Sequence, residues 1–423
     1  MLLVNWKMGG EYTMKVVHIN KLPNGGAALC AIRISKALQK KGIESHLLLM
    51  QGDVSEEVTI PQKDYLYRTQ SNVFMRLLMK MVKVVARPRF EYYKYKRHCA
   101  EKKGGAFFTS PVTEFRSLVH HPLIKAADVV HLHWIADFVD FPSFFKSVKK
   151  PIVWTIHDEN PGLGGFHYMA AMESANTQYW ELEQQFAKIK EKAVNGKNKP
   201  YLVAISSKMR DFFKNNEILK ECPIKLIHNG VDGNVFRMLD QNECRRVLNI
   251  PSDKKVFLFS SFAIEDKRKG LVLLIEALES MHDDRIMLIC LGGYKEVPKA
   301  DIEIRCVGLV DDRELLSQYY SASDYFALPS FQEAFAQTPL EAMSCGTAVV
   351  AFPCSGVPDL LNEGNGVICK DFTVEALTHG VKEAMRKDFH RNEIREDVLS
   401  RFSYEKIASQ YIDLYQELLK QKQ

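Results

Sequence analysis

Two glutamates, Glu333 and Glu341, lie in a stretch whose pattern predicts a strand, then a loop, then a helix. Glu333 falls among apolar neighbours in the loop, where an unpaired carboxylate would be costly. Because open α/β sheets bind ligands beyond the carboxyl ends of their strands, we expect Glu333 to contact a ligand. Glu341 has a structural alternative, since Thr338, Pro339 and Glu341 match a capping box in which the glutamate bonds its own helix.

The cations from Lys267 to Lys269, followed by Gly270, form a second group that could do chemistry. They immediately precede a helix predicted over residues 271–280, whose N-terminus carries partial positive charge and should repel them. An anion bound there would remove this conflict, because the helix amides and the cationic side chains would then point at one phosphate. A solvated cluster at a loop tip is the alternative that involves no ligand.

The turn at residues 23–26, Pro-Asn-Gly-Gly, follows the first predicted strand and is a weak phosphate-loop signal. It lacks both the G-x-G-x-x-G fingerprint and the Walker lysine. Its glycines would let a substrate come close to the backbone, whereas a tight turn without a ligand explains the same residues equally well.

Four histidines lie near the ends of predicted strands: His131, His133, His157 and His167. His131 and His133 share one face of a strand, as metal ligands can, but no carboxylate or cysteine stands at ligand spacing, so a zinc site is disfavoured. His157 ends the strand predicted over residues 151–157 and is better placed to meet a substrate. A core histidine bonded to the backbone is the alternative for His157.

These residues must be positioned by elements that alternate between strand and helix, which predicts doubly wound α/β domains with parallel sheets. One series occupies residues 14–236, a polar connection is predicted over 237–253, a second series occupies 254–403, and a last helix covers 404–423. Within the first series, residues 51–113 predict an irregular, basic segment. We expect two Rossmann-like domains that face each other across a cleft, because 423 residues exceed what one core usually supports.

The composition is that of an ordinary globular chain, with 46% hydrophobic and 26% charged residues. Nine scattered cysteines without C-x-x-C spacing indicate reduced thiols rather than disulfides or a zinc site. No apolar run has the length of a membrane span, and the N-terminus shows no signal-peptide pattern, so we expect a cytoplasmic protein. Met14, directly before the first predicted strand, is an alternative start.

A basic amphipathic stretch covers residues 76–103, where ten lysines and arginines face two glutamates. Its apolar side could pack on its own domain and leave a solvated basic face. Docking on the anionic inner face of the cytoplasmic membrane is the second explanation. Nucleic-acid binding is disfavoured, because no nucleic-acid module accompanies the charge.

The run E-A-F-A-Q-T-P-L-E-A-M-S-C-G-T-A-V-V-A, which begins at Glu333, closely resembles the E-x7-E signature of the retaining GT-B glycosyltransferases of family 4. The similarity continues with R-K-G at 268–270, I-H-N-G-V-D at 227–232 and A-I-S at 204–206. Upstream, D-V-V-H-L-H-W and W-T-I-H-D resemble the branch that builds bacterial surface polysaccharides such as capsule, colanic acid and O-antigen. The resemblance implies the GT-B architecture, with a C-terminal helix that packs back on the N-terminal domain.

The same resemblance implies transfer of a hexose or N-acetylhexosamine from a nucleotide diphosphate sugar to a lipid-linked glycan, with retention at the anomeric carbon. Neither a metal ion nor another cofactor is implied. The matched motifs imply three catalytic residues: Glu333, His157 and Lys269. The residues implied to bind the donor are Glu341, Arg268, Ala334, Phe335, Ala336, Gly308, Leu309, Gly25 and Gly26. Those implied to bind the acceptor are Asn24, His133 and His167.

Three departures from the family pattern bear on function. Residues 260–263 read Ser-Ser-Phe-Ala where most relatives carry an arginine, so diphosphate binding would rest on Lys269 and Arg268. Ala336 replaces the glycine of E-x-F-G, which requires ordinary backbone angles at that position. Residues 164–168 lack the cysteine that is usual in the nearest branch. A catalytically silent scaffold protein of a polysaccharide assembly complex is therefore the alternative to an enzyme.

Overall fold

The computed structural model describes residues 13–50, 89–103, 106–173 and 175–422. These residues form two compact units. The first unit holds the described residues up to Ile205, together with Met209–Ile227 and residues 408–422. The second unit holds Ser206–Lys208 and His228–Ile407. The predictions made for residues 1–12 and 51–88, including the first half of the basic stretch, lie outside the described residues.

The first unit is built on a parallel sheet whose six described strands follow the order β2-β1-β3-β4-β5-β6. These strands are β1 (Lys15–Asn20), β2 (Glu44–Leu49), β3 (Val129–Leu132), β4 (Ile152–Ile156), β5 (Tyr201–Ala204) and β6 (Ile224–Leu226). Strands β3 and β4 are buried along their whole length, as central strands of a parallel sheet are. The chain order reverses between β1 and β3, so the loops after these two strands diverge and leave a crevice at the carboxyl edge.

Seven α-helices of the described residues lie between these strands in the sequence. They are α1 (Gly26–Lys40), α2 (residues 89–101), α3 (Pro122–Ala126), α4 (Phe141–Ser147), α5 (Ala170–Glu173), α6 (Thr177–Val194) and α7 (Ser207–Lys214). Helix α1 starts at the predicted glycine turn, where Gly25 has a φ of 88°. Helix α2 corrects the sequence interpretation, because part of the segment predicted to be irregular is helical.

The second unit also has a parallel sheet, whose six described strands follow the order β12-β11-β10-β7-β8-β9. The strands are β7 (Lys255–Ala263), β8 (Ile286–Gly293), β9 (Glu303–Gly308), β10 (Tyr325–Leu328), β11 (Ala348–Ala351) and β12 (Gly366–Ile368). Its helices are α8 (Gln241–Val247), α9 (Leu271–Glu279), α10 (Arg313–Ala322), α11 (Gln337–Ser344), α12 (Val357–Leu360), α13 (Val374–Arg386) and α14 (Arg391–Phe402). Here the chain order reverses between β7 and β10, which places a crevice beyond the carboxyl ends of these two strands.

Helix α8 lies inside the segment for which the sequence predicts a polar connection. Its Arg245 is buried, and the guanidinium donates hydrogen bonds to the carboxylate of Asp324 at 2.8 Å and to the carbonyl of Ala322 at 2.9 Å. These bonds tie α8 to the turn between α10 and β10, so this part of the segment is an ordered element of the second unit.

The last helix, α15 (Tyr404–Gln421), supplies its residues from Ala408 onward to the first unit. Two of its tyrosines are fully buried there. The hydroxyl of Tyr411 lies 2.8 Å from Oγ1 of Thr155 on β4, and the hydroxyl of Tyr415 lies 2.7 Å from Nδ1 of His131 on β3. The helix therefore completes the core of the first unit, as the family resemblance implied.

All nine cysteines are free thiols, and seven of them are buried. Burial raises the pKa of Cys345 and of Cys354 to about 12, so these thiols stay protonated at neutral pH. Within the part of the chain that the structure describes, no helix combines the length and the apolar character needed to cross a lipid bilayer.

Candidate active site

Lys269 and Glu333 form an ion pair at the carboxyl edge of the second sheet. Lys269 lies in the loop after β7 and Glu333 in the loop after β10, and these are the neighbouring strands between which the chain order reverses. The two side chains are 28% and 16% exposed, so a ligand can reach the pair although water is partly excluded. The structure thus brings two of the three predicted catalytic residues into contact.

Backbone contacts hold these two loops together next to the ion pair. The amide of Phe331 donates to the carbonyl of Arg268 at 2.9 Å. Gly270 has a φ of 72°, and a Cβ atom added to it would lie 2.0 Å from the carbonyl oxygen of Pro329. Both its backbone angle and the lack of space require glycine at this position, which gives a physical reason for the Gly of R-K-G.

Carboxylates pair with two of the three cations that precede helix α9. The guanidinium of Arg268 donates to Asp266 at 2.7 Å, and its backbone amide donates to the same side chain at 3.0 Å. The hydrogen bond from the Arg268 side chain lowers the pKa of Asp266. With Lys269 paired to Glu333, these contacts relieve the predicted repulsion without a bound anion, while Arg268 remains 62% exposed to solvent.

Glu341 does not cap helix α11, so the capping-box interpretation is wrong. The helix begins at Gln337, before the predicted cap Thr338, and Ala336 caps it without a side-chain hydrogen bond. Glu341 lies inside the helix, 6% exposed, and accepts a hydrogen bond at 3.1 Å from the hydroxyl of the buried Tyr320. Its carboxylate therefore bonds to helix α10.

The loop between Glu333 and helix α11 presents backbone donors. The amides of Ala334, Phe335 and Ala336 make no hydrogen bond to another described residue. The ring of Phe335 packs against His228 with a centroid distance of 5.2 Å, which anchors the loop. Ala336 has a φ of −69° and a ψ of 132°, the ordinary angles predicted for alanine at this position. Three available amides beside a lysine are suited to an anionic ligand.

Gly308 and Leu309 lie at the end of β9, on the same edge of the second sheet as the ion pair. Gly308 has a φ of 96°, and an added Cβ would meet no atom within 4 Å. Leu309 is 56% exposed. Phe262, in the stretch where most relatives carry an arginine, is 84% exposed, so the end of β7 presents an aromatic ring instead of a charge.

In the first unit, the predicted residues also collect at the carboxyl edge of the sheet. Asn24, Gly25 and Gly26 follow β1, His133 follows β3, and His157 follows β4. Strand β3 lies between β1 and β4, so the three loops are neighbours. This is the edge at which the chain order of the first sheet reverses.

His18, His133 and His157 form a hydrogen-bonded row across β1, β3 and β4. Nδ1 of His18 lies 2.9 Å from Nε2 of His133, and Nδ1 of His133 lies 3.1 Å from Nε2 of His157. Burial lowers the pKa of His18 to about 3 and that of His157 to about 4, and it lowers the pKa of His133 well below the ordinary value. All three rings are therefore neutral at neutral pH.

His131 lies beside this row but is bonded elsewhere. Its Nε2 lies 2.7 Å from the hydroxyl of Thr155, and its Nδ1 lies 2.7 Å from the hydroxyl of Tyr415. One ring nitrogen each of His18, His131 and His133 lies within 4.8 Å of the others, a spacing compatible with a metal ion. Because both nitrogens of His131 and of His133 already have hydrogen-bond partners, the group fits a hydrogen-bond network better than a metal site.

The sequence interpretation missed Asp158 and Trp134, which are joined to His167. The carboxylate of Asp158 accepts a bond from Nε1 of Trp134 at 2.9 Å and lies 2.6 Å from Nδ1 of His167. Nε2 of His167 lies 3.1 Å from the hydroxyl of Thr109, and its ring stacks at 4.1 Å on Phe107, which is 60% exposed. The motif W-T-I-H-D could have identified Asp158 from the sequence, because Asp158 is its last residue.

Comparisons with known proteins agree with the two α/β units described above. The family model described as Glycosyltransferase Family 4 matches residues 24–234, and the one described as Glycosyl transferases group 1 matches residues 240–401. An uncharacterized glycosyltransferase of Methanocaldococcus jannaschii is 21% identical over 68% of this chain and 75% of that protein. The lipopolysaccharide 1,2-N-acetylglucosaminetransferase of Salmonella typhimurium is 23% identical over 51% of this chain and 61% of that protein.

Among solved structures, Anabaena HepE in complex with UDP and glucose resembles this chain with a TM-score of 0.64. The match covers 96% of this chain and 100% of that chain at 17% identity, and a likeness at such low identity bears on the fold. The two family models cover most of the sequence, and the two parallel six-stranded sheets agree with the structural match. The chain therefore belongs to family 4 of the glycosyltransferases and has the GT-B fold.

Proposed function

We propose that this glycosyltransferase is a retaining enzyme that transfers a hexose or N-acetylhexosamine from a nucleotide diphosphate sugar to a lipid-linked glycan in surface polysaccharide biosynthesis. The observation that carries the proposal is the pairing of Lys269 with Glu333 where the chain order of the second sheet reverses. A carboxylate accepts hydrogen bonds from sugar hydroxyls, and an ammonium group beside it binds phosphate. HepE, whose structure contains UDP and glucose, supports a nucleotide sugar as the donor.

In the proposed donor complex, Lys269 binds the diphosphate and Glu333 binds hydroxyls of the transferred sugar. The amides of residues 334–336 donate to the same ligand, and the exposed Arg268 adds a second cation. The leaving diphosphate gains negative charge in the transition state, so cations and amides held there stabilise the transition state more than the ground state. This electrostatic role needs no metal ion, and a metal-independent reaction is part of the proposal.

The rest of the donor is assigned to residues around this pair. Glu341 binds the ribose hydroxyls, because its carboxylate lies one helical turn into α11 and has oxygens to accept them. The open backbone at Gly308 and Leu309 contacts the base. We also propose that Gly25 and Gly26 bind the donor, as the family resemblance implies.

His157 is proposed to act on the reacting sugar. Its pKa is lowered to about 4 by burial, so at neutral pH the ring offers a neutral hydrogen-bond donor rather than a positive charge. Retention follows if the acceptor attacks the front face of an ion pair and the departing phosphate takes the acceptor's proton. A covalent sugar intermediate on Glu333 is the other route to retention.

A cavity of about 260 Å³ in the first unit supports the acceptor side of the proposal. It lies beyond the ends of β1 and β2, beside Lys21 and Met50, and α2 adds Tyr93, Lys94 and Arg97 to its wall. The lining also contains Glu114 and Asp137, and Asp137 pairs with Lys21 and Arg97. Aromatic rings beside such polar groups suit a sugar-bearing acceptor. Asn24 remains a proposed acceptor contact. His133 and His167, which are buried with both ring nitrogens bonded to other side chains, are proposed to shape the acceptor site rather than to touch the acceptor.

We place the enzyme at the inner face of the cytoplasmic membrane as part of the same proposal. Helix α2 exposes Tyr92 and Tyr95, which are 48% and 66% accessible, beside the exposed Lys94. Tyrosines with lysines suit the interfacial region of an anionic membrane. The Salmonella relative, named for lipopolysaccharide, supports a surface glycan as the product.

A catalytically silent scaffold protein is the second candidate. The observation that favours it is the exposed Phe262, which stands in the stretch where most relatives carry an arginine. The Lys269–Glu333 pair argues for an enzyme, because a protein that only assembles other enzymes needs no partly exposed charged pair at the carboxyl edge of the second sheet.

The test is to incubate the full-length protein with separate nucleotide diphosphate sugars and a lipid-linked glycan extract, with and without EDTA. We expect at least one donor to raise Tm, since a ligand at 100 times its Kd stabilises by about 2.7 kcal/mol. The same donor should release a nucleoside diphosphate in the presence of EDTA. Donor binding without turnover would favour the scaffold, and the absence of both binding and turnover would contradict the proposed enzyme.

A further inference from the structure

The histidine row of the first unit fixes where the proton sits on His157. Three neutral imidazoles carry three ring protons, and two hydrogen bonds join them. The row therefore has two possible directions of donation. Either His18 donates to His133 and His133 donates to His157, or both bonds run the other way.

The buried end of the row distinguishes these directions. Nε2 of His18 is buried and has no hydrogen-bond partner among the residues that the structure describes. If the bonds ran from His157 inward, this nitrogen would carry the proton and would be a buried N–H without an acceptor. Buried N–H groups without partners are rarer in folded proteins than buried acceptors without donors. The first direction leaves only an unused lone pair on His18, so it is the favoured one.

The outer end of the row is His157, whose Nδ1 makes no hydrogen bond to a described residue. In the favoured direction, Nε2 of His157 accepts from Nδ1–H of His133, so the proton of His157 must sit on Nδ1. This tautomer is the less common one for imidazole in water. The hydrogen-bonded row thus imposes a proton position that the free side chain adopts only in its minor tautomer.

We propose that His18 and His133 are positioning residues that hold His157 as a neutral Nδ1–H tautomer, so that His157 can only donate a hydrogen bond to a sugar oxygen of the substrate. The inference rests on the proposed function for the identity of that substrate, whereas the proton position itself does not. It gives the two buried histidines a role that the family resemblance does not assign to them.

The experiment is long-range ¹H–¹⁵N spectroscopy of the full chain labelled at histidine, at pH 7, with His157→Asn to assign the His157 signals. We expect His157 to show a protonated Nδ1 and a bare Nε2. In His18→Phe, His133 loses its donor, and we expect the His157 signals to move toward the Nε2–H tautomer. His18→Asn keeps an N–H near the position of Nδ1 and should restore the wild-type signals.

His131→Phe is the matched control, because it removes an equally buried histidine from the same sheet but no member of the row. It should lower Tm through lost bonds to Thr155 and Tyr415 and leave the His157 tautomer unchanged. In a transfer assay, His18→Phe should lower kcat roughly tenfold at an unchanged donor KM, the effect of one hydrogen bond made in the transition state.

An Nε2–H or doubly protonated His157 in the wild-type protein would overturn the proposal, and this measurement needs no variant to fold. An unchanged tautomer in folded His18→Phe would overturn it as well. If His157 carries its proton on Nδ1 but the protein transfers no sugar, the positioning role of His18 and His133 would be supported and the proposed function would be contradicted.

Discussion

The ammonium group of Lys269 contacts the carboxylate of Glu333, although the two residues lie 64 positions apart and follow different strands. If the pair binds the donor, removing either charge removes part of the transition-state stabilisation. We expect Lys269→Met and Glu333→Gln each to lower kcat/KM by about 100- to 1000-fold, measured as release of nucleoside diphosphate. The free energy of unfolding should change by about 1 kcal/mol or less, because the pair is partly exposed.

The ion pair of Arg237 with Glu314 is the matched control in the same unit. Its atoms are 2.7 Å apart, and its side chains are 54% and 49% exposed. Arg237→Met and Glu314→Gln should leave turnover within about twofold of wild type, because exposed pairs contribute little. Equal losses from both pairs would contradict a specific role for Lys269 and Glu333.

Glu341 has a structural and a proposed functional role, and two substitutions separate them. Glu341→Gln keeps an oxygen that can accept the Tyr320 hydrogen bond but loses the charge, so the donor KM should rise roughly tenfold with little change in Tm. Tyr320→Phe removes the bond and keeps the carboxylate, so it should lower the free energy of unfolding by about 1 kcal/mol and leave the donor KM nearly unchanged. A KM that rises only in Tyr320→Phe would contradict ribose binding by Glu341.

Gly270→Ala should destabilise the second unit. The substitution places a Cβ 2.0 Å from the carbonyl of Pro329 on a backbone with a φ of 72°, and backbone strain alone costs roughly 1–3 kcal/mol. Thermal unfolding would show the loss as a lower Tm. Gly364→Ala is the control, because its Cβ would approach the nearest atom only to 3.4 Å. A Gly270→Ala protein as stable as Gly364→Ala would show that the loops after β7 and β10 can separate freely.

The buried histidines predict a loss of stability in mild acid. The pKa of His18 is lowered to about 3, and those of His121 and His157 to about 4, all mainly by burial. Below pH 6.5 the unfolded chain therefore takes up protons that the folded chain does not. The free energy of unfolding should fall as the pH drops from 6.5 to about 4, by up to about 1.4 kcal/mol per pH unit for each such histidine.

Urea unfolding at pH 7.5, 6 and 5 would measure this slope. A folded His18→Phe protein should show a shallower slope, because it has one buried histidine fewer. Replacement of the exposed His120 by asparagine should leave the slope unchanged. A stability that does not depend on pH between 7.5 and 5 would mean that these rings take up protons equally in the folded and the unfolded chain, which would contradict their lowered pKa values.

Local patterns predicted the parallel sheets, because strands that alternate with helices along the chain are typical of parallel pairing. The order of the strands could not be predicted, since pairing depends on contacts between distant residues. For the same reason the motifs identified Lys269 and Glu333 separately but not their contact. His18 was missed because a single histidine in an apolar strand does not reveal that His133 is its neighbour.

The wrong cap at Thr338 has a local cause. Thr338, Pro339 and Glu341 satisfy the pattern of a helix start, but proline is tolerated anywhere in the first turn because the first amides of a helix need no partner within it. The helix therefore starts earlier, at Gln337, and the spacing between cap and glutamate is lost. Sequence patterns locate such a start only to within a turn.

Tyr411 and Tyr415 of helix α15 bond to Thr155 and His131 in the middle of the first sheet. During synthesis the ribosome makes that sheet before most of the second unit and makes helix α15 only after residues 228–403 of that unit. Thr155 and His131 therefore gain these hydrogen bonds only after those residues of the second unit have been translated. Although its sheet is made first, the first unit can complete its packing only after most of the second unit has been synthesised.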